Sequence, residues 1–175
     1  MTDGQRGYMP EVIVGDITTL AVDAIVNAAN RELAPGGGVC GAIHRAAGRK
    51  LAEAAMTLGP CETGDAKVTD GFDLPARFVI HAVGPVHSGG GEGEAEQLAS
   101  CYRTSLQLAA EQGARSIAFP CISTGVFGYP IREATSIALE AIAEWRSGRD
   151  QPERIICCCF SEEDAEVYRE LLGQA

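Results

Sequence analysis

Three glycines run into a cysteine in PGGGVCG, Pro35–Gly41, and the residues that follow read as a helix. Glycine lets backbone N–H groups come close to a ligand and takes up φ > 0 without strain. A helix start adds unpaired N–H groups and a partial positive charge. Gly36, Gly37, Gly38 and Val39 therefore read as one wall of a cradle for an anion, a phosphate above all. A second stretch, ISTGVFGYP over Ile122–Pro130, has the same character. It carries Ser123, Thr124, Gly125, Val126, Phe127 and Gly128, and Pro130 suits the first turn of a following helix. Either loop alone is compatible with an ordinary strand-to-helix connection. Two of them at one sheet edge would grip a diphosphate between them.

Other phosphate motifs fit less well. No GK[ST] follows the glycines, and the G-x-G-x-x-G spacing is absent. Cys40 and Arg45 stand one residue too close for a cysteine-phosphatase loop. Asp16, in Gly15-Asp16-Ile17, is placed to accept from an exocyclic amine, with a neighbouring N–H on a ring nitrogen. Its simpler role is to cap the turn with Thr18, and taken alone that role is favoured. Asn27 and Asn30 flank the end of the next strand, where an amide can bond sugar hydroxyls with both donor and acceptor or simply shape a turn. His44 follows Cys40 by four residues and shares its helix face, so it either reaches the ligand loop or packs. His81, inside an apolar strand, reads as a satisfied core histidine. His87, among glycines, reads as solvated.

The elements that must position these residues are legible in the apolar pattern. Val12–Val14, Ala24–Ala28, Phe78–Val83, Ile117–Phe119 and Ile155–Phe160 read as strands, with Ala66–Thr69 a weaker candidate. Several are apolar throughout, as strands covered on both faces are. Helical spacing links Ile43, Ala46, Ala47, Leu51 and Ala54. It also links Leu98 to Ala109, Ala134 to Trp145, and Ala165, Tyr168 and Leu172. Strands alternating with helices imply a mostly parallel sheet between helical layers, with ligands beyond the carboxyl ends of the strands. The loops of interest are then Gly15–Ile17, Asn30–Cys40, Gly84–Gly93, Cys121–Tyr129 and the turn after Phe160.

Composition sets the class. The 175 residues suffice for one domain, with 1–10 expected to be a flexible N-terminus. A formal net charge of −10 argues against nonspecific nucleic-acid binding. It leaves room for a small phosphorylated ligand held by backbone N–H groups. No signal peptide and no membrane-length apolar run is visible. Seven cysteines without C-x-x-C spacing point to a reduced, cytoplasmic setting. The run Cys157–Cys159 alternates faces in a strand and reads as small buried residues. Neither a metal nor a cofactor is expected.

GDIT (Gly15–Thr18), VDAIVNAAN (Val22–Asn30), GGGVCGAIHRAAG (Gly36–Gly48), VIHAVGP (Val79–Pro85) and FPCISTGVFGYP (Phe119–Pro130) occur here in one order. Together they resemble the macrodomains, specifically the bacterial O-acetyl-ADP-ribose deacetylase and mono-ADP-ribosyl hydrolase branch. The resemblance covers nearly the whole chain and implies a three-layer α/β/α fold with a mixed, mostly parallel central sheet. It implies ADP-ribose or O-acetyl-ADP-ribose as ligand, with mono-ADP-ribosylated proteins as further partners. Asp16 takes the adenine amine on this view, with Ile17 beside it, and Phe160 lies by the adenine. Asn30 contacts the distal ribose. Gly36 to Val39 and Ser123 to Gly128 form the two walls, with Phe127 packing on the distal ribose. The implied activity is hydrolysis of an ester on that ribose; a non-catalytic ADP-ribose reader is the alternative.

Two departures bear on the reaction. The family's active branch typically reads GGGGVDG where this chain has Pro35 and Cys40. Cys40 thus stands in place of the aspartate thought to activate or position the attacking water, and a protonated thiol is a weak acceptor. Three readings follow, in this order: hydrolysis persists in weakened form, with Asn30, Cys40 and His44 as the candidate catalytic residues; Cys40 is inert and the domain only reads ADP-ribose; Cys40 and His44 form a reactive thiolate pair.

Overall fold

Short apolar runs bounded by Gly, Pro, Asp and Asn fold here as strands, and the amphipathic segments between them as helices. A computed structural model describes residues 8–174. The strands are β1 (Glu11–Val14), β2 (Ala24–Ala28), β3 (Ala66–Asp70), β4 (Phe78–Ala82), β5 (Ser116–Phe119) and β6 (Arg154–Cys159). The helices are α1 (Gly38–Ala47), α2 (Arg49–Leu58), α3 (Glu94–Glu111), α4 (Ile131–Arg146) and α5 (Glu162–Leu171). The sheet order is β1-β6-β5-β2-β4-β3. All neighbours are parallel except the edge pair β3–β4, so the sheet is mixed and mostly parallel.

Strand alternation divides the core. Val26, Ile80, Ile117, Phe119, Cys157 and Cys159 face α3, α4 and α5. Ile25, Val79, Ala118, Ile156 and Cys158 face α1 and the start of α2. The result is helix, sheet and helix in three layers, and the three consecutive cysteines alternate between the two cores. Burying each of these larger apolar side chains stabilises the fold by roughly 1.5–3 kcal/mol.

One expected helix is two. The apolar spacing over Ile43–Ala54 reads as continuous, but Gly48 sits at φ 91° and ends α1 before α2 begins. A Cβ at Gly48 would also lie 3.0 Å from the Asp73 carboxylate. Ile43, Ala47, Leu51 and Ala55 are buried, while Ala46 is exposed and Ala54 half-buried. Of the expected flexible stretch 1–10, residues 1–7 lie outside the described residues. Tyr8 is fastened: its hydroxyl accepts from Ile155 N–H at 2.8 Å and donates to Glu153 O at 3.3 Å.

His81 is the satisfied core histidine its strand suggests. Thr69 Oγ1 donates its single proton to Asp70 O at 3.0 Å, so it accepts from His81 Nε2–H at 2.9 Å. That leaves His81 Nδ1 to accept from Asn27 Nδ2 at 3.1 Å. Burial, and secondarily the nearby His44, lower the His81 pKa to about 4. Protonation would set Nδ1–H against an amide donor. Because the folded pKa lies below the unfolded one, this stability is complete above about pH 6.5. It is lost as pH falls from there toward 4, to a limit of about 3 kcal/mol. Urea midpoints at pH 7 and pH 5 should show the loss, and His81→Asn should flatten it; equal midpoints for wild type would refute the assignment.

Candidate functional site

Because β1, β6, β5, β2 and β4 are parallel, their carboxyl ends share one edge. The loops there follow the strand order: Asp16 after β1, Phe160 after β6, Cys121–Tyr129 after β5, Asn30–Cys40 after β2 and Gly84–Gly93 after β4. From β1 to β2 is three strand spacings, about 14 Å.

At the β1 end, Asp16 caps the 3₁₀ turn Ile17–Thr19. Its Oδ1 accepts from Thr18 N–H at 2.9 Å and the Thr18 hydroxyl at 2.7 Å. Those two bonds, the hydroxyl first, hold its carboxyl below the usual range. The carboxylate is otherwise exposed, so capping and ligand acceptance are compatible, while Ile17 is buried beneath it. Phe160, one strand over, is 92% exposed. A phenyl ring left in solvent beside a carboxylate is a platform for a flat, partly polar ring.

In the middle lies the Cys121–Tyr129 loop. Thr124 N–H and its hydroxyl both bond Cys121 O, Gly128 N–H bonds Gly125 O, and Tyr129 N–H bonds Ser123 O. Among the described residues no backbone acceptor takes the N–H of Gly125, Val126 or Phe127. Ser123 is held at φ 66°, a region that costs a non-glycine residue roughly 1–3 kcal/mol, and its buried Oγ has no partner among the described residues. Val126 is fully exposed, and Phe127 is half-buried.

The second wall is built from the Asn30–Cys40 loop. Asn30 Oδ1 accepts from Ala34 N–H at 3.0 Å, and its Nδ2 donates to Ala34 O at 2.9 Å. Cys40 Sγ also donates to Ala34 O, at 3.6 Å, and accepts from Asn27 Nδ2 at 3.8 Å. Asn30 and Cys40 thus clamp one residue just ahead of the glycines. Gly36, Gly37 and Gly38 are exposed, and Gly38 opens α1 at φ 57°. Among the described residues no side chain caps this helix, and no acidic residue lies in its first turn, so its leading N–H groups suit an anion.

Cys40 and His44 share no hydrogen bond among the described residues. Cys40 is only 5% exposed, and burial pushes its thiol up, with the Asn27 and Gly36 bonds offsetting part of the rise. His44 is 8% exposed, burial lowers its pKa, and neither ring nitrogen has a partner among the described residues. Its ring centre lies 6.4 Å from that of His81. His44 therefore belongs to the buried polar layer under the loop, on the side of Asn27 and His81.

Several contributors are not evident from residue types. Gly41 has no room for a side chain, since a Cβ there would lie 2.5 Å from Gly36 O. A glycine inside a helix, about 1 kcal/mol worse than alanine, is the available clue. Gly84 is similar: a Cβ would meet Ser123 Oγ at 2.2 Å. The β4 and β5 loops therefore touch across the end of the intervening β2. His87 fastens that crossing. Its N–H bonds Phe127 O at 2.9 Å, and its ring lies 4.7 Å from that of Tyr129, so it is docked rather than merely solvated. Glu94 is buried at the start of α3 and accepts from Ser88 N–H at 3.2 Å, steadying the glycine-rich turn.

Comparison with known proteins gives the arrangement a family. The family model described as Macro domain matches residues 26–138. The O-acetyl-ADP-ribose deacetylase of Klebsiella pneumoniae is 54% identical over 94% of this chain and 96% of its own length. The ADP-ribose glycohydrolase MACROD1 of Bos taurus is 54% identical over 97% of this chain, which spans 53% of that longer protein. Among solved structures, a point mutant of the Oceanobacillus iheyensis macrodomain with ADPR has a TM-score of 0.89 and 43% identity. That match covers 93% of this chain and 90% of the other.

Proposed function

The chain belongs to the macrodomain family, and from that premise we propose that it binds ADP-ribose and hydrolyses an ester on the distal ribose. O-acetyl-ADP-ribose and mono-ADP-ribose on acidic protein side chains are the proposed substrates. The observation that carries the reading is the order of groups along one sheet edge. Asp16 and Phe160 suit adenine, the N–H groups of Gly125–Phe127 and of the α1 start suit the diphosphate, and Asn30 suits the distal ribose. This order lets an acidic protein hold a dianion through backbone dipoles.

For the reaction, a water attacks the acyl carbon, the ribose oxygen leaves, and the proton of the water ends on that oxygen. The Cys40 thiol stays protonated and donates to Ala34 O, so it is a poor base. Asn30 and the ligand's own phosphate are left to place the water, which makes this a weakened hydrolase. The protonated thiol also favours the second reading, a reader that binds without turnover. Seven free thiols suit the reducing, cytoplasmic setting that we propose for it.

Calorimetry with ADP-ribose and turnover of O-acetyl-ADP-ribose test both. Binding with release of ADP-ribose above the buffer blank supports the hydrolase, and binding alone supports the reader. Absence of binding sinks both. Gly41→Ala gives a sharper check on the loop. The added methyl must move the Gly36 carbonyl, a strain of ~1–3 kcal/mol, while the helix gains ~1 kcal/mol in propensity. Tm should fall by no more than several degrees and ADP-ribose affinity should fall ~10-fold; unchanged affinity would separate Gly36 from the ligand.

A further inference from the structure

Six of the seven free thiols are buried, and Cys121 alone is partly open to solvent. It stands at the root of the Cys121–Tyr129 loop, where its carbonyl takes the two Thr124 bonds. Its neighbour across the sheet is a second cysteine. Phe119 of β5 is level with Cys157 of the parallel β6. Cys121 lies two residues beyond the end of β5, and its side chain packs on the core cluster that holds Cys159, its nearest thiol neighbour. Phe119, Cys157 and Cys159 lie in the core under α3–α5 and Cys121 packs against it, so both thiols lie on one face. Adjacent strands stand ~4.8 Å apart, within the ~4.4–6.8 Å that a disulfide spans between Cα atoms.

The two sulfurs differ in character. Hydrogen bonds from Cys159 and Tyr168 pull the Cys121 thiol down, against burial and the Asp164 carboxylate. The bond to Cys121, together with burial, pushes Cys159 up. Solvent access and thiolate character mark the attacking member of a redox pair.

We propose that Cys121 and Cys159 are a peroxide-reactive pair, with Cys121 attacking and Cys159 resolving. The Cys121 sulfur bonds to one oxygen of hydrogen peroxide and the O–O bond breaks. The other oxygen leaves and, with a proton, becomes water, so Cys121 is now a sulfenic acid. The Cys159 sulfur gives up its proton and attacks the Cys121 sulfur; the S–S bond forms and the sulfenic oxygen leaves as a second water. Two thiols lose two electrons, and the peroxide gains them.

Peptide mapping decides the matter and does not depend on the ligand. The reduced full-length protein is treated with hydrogen peroxide, blocked with N-ethylmaleimide and digested with trypsin without reduction. Cys121 is the only cysteine in Ser116–Arg132, and Cys157–Cys159 share Ile155–Arg169. The expected product joins these peptides, two hydrogens lighter than their sum, with fragmentation placing the bond on Cys159 and dithiothreitol reversing it. In Cys159→Ser, dimedone should trap a sulfenic acid on Cys121. In Cys121→Ser, thiol loss to peroxide should slow ~10-fold or more. A bond through a different pair overturns the proposal. So does the absence of any link in wild type and of a dimedone adduct in Cys159→Ser.

Discussion

Asn30→Ala should lower turnover of O-acetyl-ADP-ribose by at least ~10²-fold, the scale of a misplaced reacting group. Two losses combine. The proposed contact to the distal ribose goes, and so does the pair of bonds that closes Asn30 onto Ala34 N–H and O. Ala34 then keeps only the weak Cys40 Sγ bond at 3.6 Å, and the glycine loop after it loses its fixed start. Affinity for ADP-ribose should fall less, ~10-fold, as each lost hydrogen bond contributes about 1 kcal/mol. The effect is therefore mainly on kcat. Asn30→Asp sharpens the test, since a carboxylate can still accept from Ala34 N–H but presents a second acceptor to Ala34 O. It should resemble Asn30→Ala in turnover. Turnover within ~3-fold of wild type for both variants would remove Asn30 from the reaction.

This amide clamp marks the limit of what the sequence discloses. Short apolar runs locate strand ends, and a parallel sheet puts those ends on one edge, so the loops of the candidate site are identifiable from residue types. Contacts closed through backbone atoms leave no such trace. Ala34 is an ordinary alanine, yet Asn30 and Cys40 both converge on it. Periodicity likewise reports which face is apolar but not where the backbone turns, which is why Gly48 splits an expected single helix. His44 illustrates a third kind of ambiguity. Spacing places it on the face of Cys40, but only packing reveals that it is buried without forming a pair with the thiol. His87 and Gly84 join loops from strands that are not neighbours, an arrangement set by sheet order rather than by any local signal.

Cys40→Asp should raise turnover by ~10²-fold or more, the contribution of a positioned general base, at some cost in stability. The site receives a carboxylate with one good donor in place, since Asn27 Nδ2 already points at position 40 and is itself anchored on His81. The positive end of α1 favours the charge as well. Against it stands Ala34 O, which the thiol meets as a donor at 3.6 Å and an ionised carboxylate can only repel. The side chain is also larger, and over-packing a buried site costs ~1–3 kcal/mol. For a chain of this size that lowers Tm by several degrees, at ~2–4 °C per kcal/mol. Repulsion from Ala34 O favours turning the carboxylate toward Gly36, whose backbone already bonds the thiol. Cys40→Ser is the matched control: its hydroxyl preserves the donor to Ala34 O, adds no base, and should leave turnover near wild type. A gain in Cys40→Asp with none in Cys40→Ser would assign the missing carboxylate the base role in the proposed hydrolysis. A loss in both assigns the thiol a role of its own, and fast labelling of Cys40 by iodoacetamide should then accompany it, despite the burial that keeps this thiol protonated.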